Sequence, residues 1–177
     1  LFAILTNVNF DNDALLTIMD RVDVEKRKLV PECYKCASSC GRNNDYDMSK
    51  LWNADEDIRS LKSLILFGIR GVAAYAYHAA VLGYKNEGVH KFLYKALFAI
   101  AMNDWGMEAL LPIVLEVGEV NLKCMALLDK ANTETFGHPE PTQVSLTVEK
   151  GPFIVITGHD LYDLKLLLEQ TEGKGIN

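Results

Sequence analysis

The chain has 177 residues, 49% of them hydrophobic and 24% charged, with a formal net charge of −6. That length can bury a core and can hold one domain, or one and part of another. The acidic balance, with no clustered basic stripe, excludes a nucleic-acid surface, and the composition is that of a soluble globular protein.

Leu1–Leu5 reads as the tail of a helix and not as a secretory signal, because it is too short and has no basic flank. The chain starts without Met and stops on Gly175-Ile176-Asn177 in mid-pattern, so a piece of a longer protein is expected. A turn at Asn7-Val8-Asn9 leads to a helix capped by Asn9 or Asp11 and running to about Lys28. Leu15, Ile18, Met19 and Val22 share one face of it, with acids early and bases late as the helix dipole prefers. This is a packing helix.

Pro31 ends that helix, and residues 32–53 form an unusually long connection. It carries Cys33, Cys36 and Cys40, three of the four cysteines in the chain. Such crowding does not suit a secreted disulfide framework, and an intracellular, reducing compartment fits better. The C-x-x-C spacing lets two thiolates reach one metal from a tight turn, with Cys40 as a third donor. No fourth ligand lies nearby, so a redox-labile thiol cluster and a loop clipped by one disulfide stay open as readings.

Asn53-Ala54-Asp55-Glu56 looks like a capping box opening the longest helix, about 55–84. Its inward seam is Ile58, Leu61, Ile65, Gly68, Val72, Tyr75 and Ala79, at alternating steps of three and four. The apolar run 64–82 is long enough to suggest a membrane span. Arg70, His78 and the many glycines and alanines mark it as a buried helix instead. Gly83 is a helix breaker. Asn86 caps a third helix, about 87–103, with Phe92, Leu93, Ala96, Leu97 and Ile100 inward.

After a turn at Asp104-Trp105-Gly106, a fourth helix runs over about 107–130. Leu111, Leu115, Gly118, Leu122 and Met125 face inward, Cys124 is a buried small hydrophobe, and Pro112 sits near the first turns. Glu116 and Glu119 have no Glu-x-x-His companion, which excludes a di-iron bundle. Residues 131–142 read as a linker.

Val144–Val148 alternates like a strand. Phe153–Ile156, entered through Gly151-Pro152, reads as a strand buried on both faces. The pattern turns helical through Leu161, Leu164, Leu167 and Leu168, with Asp160 as N-cap and Asp163 in the first turn. His159 therefore occupies a strand-to-helix turn, where open α/β sheets place ligands. The positive end of a helix disfavours a second positive charge there and favours the ring form that can offer a lone pair to a metal. A histidine that only hydrogen-bonds within the turn is the competing reading.

The fold class is thus mainly α. Antiparallel helical bundles precede the first strands and helix of an α/β domain. Residues 1–143 form the helical domain, its N-terminal part missing, and 144–177 the truncated start of the second.

Four stretches resemble the hybrid-cluster proteins, also called prismane proteins or hydroxylamine reductases. They are Asp55-Glu56-Asp57-Ile58-Arg59-Ser60-Leu61-Lys62, Gly68-Ile69-Arg70-Gly71-Val72-Ala73-Ala74-Tyr75-Ala76, Met125–Thr133, and Gly158-His159-Asp160-Leu161 followed by Glu169–Gly173. The likeness runs over nearly the whole chain. It implies a cytoplasmic oxidoreductase with a helical domain of two three-helix bundles and two α/β domains. It also implies an iron–sulfur–oxygen hybrid cluster, a second cluster of the 4Fe-4S or 2Fe-2S type, and an electron donor as partner. Hydroxylamine, reduced to ammonia, and nitric oxide are the implied small-molecule substrates, with no nucleic acid and no membrane among the partners.

The resemblance further implies that His159 ligates one iron of the hybrid cluster. The family's other ligands, a glutamate and several cysteines, would lie beyond Asn177, and the cysteine motif of the small cluster would precede Leu1. Cys33, Cys36 and Cys40 do not match that motif and remain a second candidate metal site. The piece in hand is therefore expected to be a scaffold with no complete cofactor and no catalytic residues of its own. Two readings compete with it: a free-standing metal-binding or redox-sensing module working through Cys33, Cys36 and Cys40, and a helical protein-interaction domain.

Overall fold

A computed structural model describes residues 11–29 and 46–177. The expected helix tail at 1–5 and the Cys33, Cys36 and Cys40 cluster lie outside the described residues. Mainly helical architecture is observed, and among the described residues no strand is formed. The chain divides into two compact units, 1–131 and 132–177.

Helix α1 (Asn12–Leu29) starts where Asp11 accepts the Ala14 N–H at 2.9 Å, and it ends on Lys26, Arg27 and Lys28. Cap and charge order follow the sequence reading, but the packing face does not. Ile18, Met19 and Val22 are exposed, because nothing described covers them. A short helix the sequence reading missed, α2 (Ser49–Trp52), buries Leu51 completely. Asn53 closes α2 by donating its N–H to the Ser49 carbonyl. It is therefore not the cap of the next helix; Asp55 is, accepting the Asp57 N–H at 3.0 Å.

The core belongs to α3 (Glu56–Val81), α4 (Glu87–Ala101) and α5 (Met107–Phe136). Ile65, Ile69 and Val72 of α3 meet Val89, Phe92, Ala96 and Ile100 of α4, and Leu110, Ile113, Val120 and Cys124 of α5. Fully burying one such aliphatic side chain stabilises by roughly 1.5–3 kcal/mol. The start of α3 meets the end of α4 through Lys62 and Met102, so these two helices are antiparallel. Gly68 faces Val117 and Val72 faces Cys124, so α3 and α5 run the same way. The result is an up–down–up three-helix bundle with short connections. By length and composition α3 could cross a membrane, yet one of its faces lies in this core.

Local signals set the ends of these helices. After α3, Gly83 N–H donates to Ala80 O and Tyr84 N–H to Ala79 O, while Gly83 takes φ +89°. Those paired bonds are a Schellman ending, and they need the left-handed backbone that glycine adopts without strain. Asn86 caps α4 by accepting the Val89 N–H at 3.1 Å, as expected. Helix α5 continues through the expected linker to Phe136, because the first residue that stops it is Gly137 at φ +88°.

Three inward sets differ from expectation. In α3, Tyr75 is exposed and Ile69, Ala74 and Ala76 are buried; in α4, Leu97 is exposed and Val89 and Ala99 are buried. In α5 the change is larger. Leu110, Ile113, Val120, Cys124 and Ala131 point inward, while Leu115 is 66% and Leu122 68% exposed, with Leu111 and Met125 exposed beside them. The chain carries two apolar stripes on α5, and the bundle uses the one with smaller side chains. Smaller residues let α5 approach the glycine-rich face of α3: a Cβ built on Gly68 would lie 2.5 Å from Val117 Cγ1.

In the second unit the expected strands at 144–148 and 153–156 are not formed, and the expected burial of Phe153–Ile156 is overturned, since all four are exposed. A strand is buried by its neighbours, and one segment cannot supply them. The final helix, α6 (Leu161–Thr171), has the expected N-cap. Asp160 Oδ1 accepts the N–H groups of Tyr162 at 3.0 Å and Asp163 at 3.2 Å.

Candidate functional site

His159 lies between a glycine with φ +129° and the capping aspartate of α6. The backbone turns at Gly158 in a way a side chain would resist, and Asp160 anchors the far side of the turn to two α6 amides. The imidazole is exposed, at the junction of the 153–156 segment and the helix. After α6 the chain returns to that segment. Asn177 donates its N–H to the Pro152 carbonyl and accepts the Ile154 N–H, both at 2.9 Å. One residue bridging the two flanks of Phe153 is the hydrogen-bond arrangement of parallel strands. His159 thus follows the carboxyl end of a segment that has begun to pair in parallel.

Among the described residues no group of three His, Cys, Asp or Glu side chains could hold a metal ion. A multi-iron cluster is held by several thiolate, imidazole or carboxylate donors, and no such set is brought together around His159 among the described residues. Cys124, the other thiol considered, is fully buried in the bundle and donates its S–H to the Val72 carbonyl at 3.5 Å. Burial pushes that thiol up from its ordinary range, which suits an inert packing residue and not a ligand. Glu116 forms an ion pair with Lys95 across α4 and α5, which accounts for it without a metal. The second unit has an apolar groove of about 650 Å³ along α6, lined by Phe136, Leu161, Leu164 and Leu168, and His159 is not among its walls.

One charged residue escaped the sequence reading. Lys62 is 1% exposed, and its Nζ donates to the Met102 carbonyl at 2.6 Å. Met102 is the C-cap of α4, so a cation sits at the negative end of that helix. Burial lowers the Lys62 pKa, and the charge of Asp104 acts in the opposite direction. Helical spacing could have found it, since Lys62 falls four residues after Ile58 and three before Ile65, on the inward face.

The sequence of this chain has relatives among known proteins. Residues 1–177 match the Prismane/CO dehydrogenase family, and the chain belongs to that family. It is 42% identical over 198 residues to a hydroxylamine reductase of Methanocella arvoryzae, covering 100% of this chain and 36% of the relative. A hydroxylamine reductase of Solidesulfovibrio magneticus is 42% identical over 192 residues, with 100% and 36% covered. One of Methanosarcina mazei is 43% identical over 190 residues, with 99% and 35% covered. The chain therefore spans about a third of the length of the curated relatives it matches.

Proposed function

We propose that the protein carrying this segment is a cytoplasmic oxidoreductase that reduces hydroxylamine to ammonia, and nitric oxide as a further substrate. His159 is one ligand of its iron–sulfur–oxygen hybrid cluster. The observation that carries this reading is the turn Gly158-His159-Asp160. An exposed imidazole stands after the carboxyl end of a segment that starts to pair in parallel, the position at which α/β sheets bind ligands. Residues 144–177 are, on this reading, the opening of an α/β domain, and 1–143 belong to the helical domain before it.

A bound cluster, with His159 among its ligands, would supply the redox chemistry that reduction of hydroxylamine requires. The residues of this chain do simpler work. His159 offers a ring nitrogen, Gly158 lets the backbone turn ahead of it, and Asp160 ties that turn to the first amides of α6. A ligand whose backbone is fixed in advance loses less freedom on binding the metal. The remaining donors come from outside this segment, and 1–177 alone acts as scaffold. The relatives at 42% identity, both hydroxylamine reductases, support this reading.

The test compares full-length protein with and without His159→Ala. Loss of cluster iron and of hydroxylamine reduction is expected, and unchanged iron with an unchanged rate would falsify the ligand assignment. Metal analysis of the 177-residue chain gives a second check. About one tightly held zinc or iron per chain, lost on Cys36→Ser, would replace the scaffold reading with a metal-binding module.

A further inference from the structure

We draw no further inference here: the strongest candidate, the cavity of about 240 Å³ at the start of α4 with Lys91, Lys95 and Lys123 on its walls, carries nothing, because two of these exposed lysines already pair with Glu87 and Glu116 and nothing in the structure points to a ligand there.

Discussion

The two units handle the same kind of apolar pattern with opposite results. In the first, helices α3, α4 and α5 bury Ile65, Ile69, Leu110 and Cys124 against one another. In the second, α6 buries no residue, and Phe153–Ile156 stay exposed although the pattern is just as apolar. A helix hydrogen-bonds within itself and needs only two neighbours to close a core, and the chain supplies all three. A strand satisfies its backbone through adjacent strands, and only Asn177 begins to do so.

The strongest way to break that comparison is to truncate one leucine in each unit. Leu110→Ala in the 177-residue chain is expected to cost about 2–5 kcal/mol in urea unfolding, while Leu168→Ala stays within about 0.5 kcal/mol. Equal losses would mean that α6 has a core after all.

Two changes test how tightly the bundle closes. Gly68→Ala pushes a Cβ into Val117 and is expected to cost about 1–3 kcal/mol, whereas Gly71→Ala, into open space, gains up to about 1 kcal/mol from helix propensity in this chain. Lys62→Met strips the Met102 carbonyl of its donor, at about 1–3 kcal/mol near neutral pH.

Lys62 also predicts a pH dependence. Its folded pKa lies below the ordinary 10.5, so just under pH 10.5 the unfolded chain holds a proton that the folded chain has released. Stability contributed at this site therefore rises with pH in that window, and Lys62→Met removes the rise. A wild-type curve that falls there relative to the mutant would contradict the burial argument. Asp160→Ala removes the cap of α6 for about 1 kcal/mol, read as lost helicity by circular dichroism.

Much of the fold was legible because its signals are local. Asn86, Asp160, Gly83 and Asp11 act on amides or carbonyls within five residues, and each serves as its residue type suggests. Choosing between the two stripes of α5 was not legible, because both are apolar at helical spacing and the deciding fact is the bare backbone of Gly68 on another helix. Lys62 was missed for a similar reason: its partner carbonyl is forty residues away. At the candidate site, the turn geometry around His159 could be read from Gly158 and Asp160. A set of co-ligands could not, since metal donors converge from distant parts of a chain.

By itself, then, the sequence determined where helices begin and end and which turn carries the histidine, because caps, glycines and helical periodicity act over a few residues. Only the tertiary structure decided which face of each helix is covered, that a lysine can be buried at the end of α4, and that a strand-like run stays bare. Those outcomes depend on what lies across the contact, and a one-dimensional pattern does not contain that neighbour.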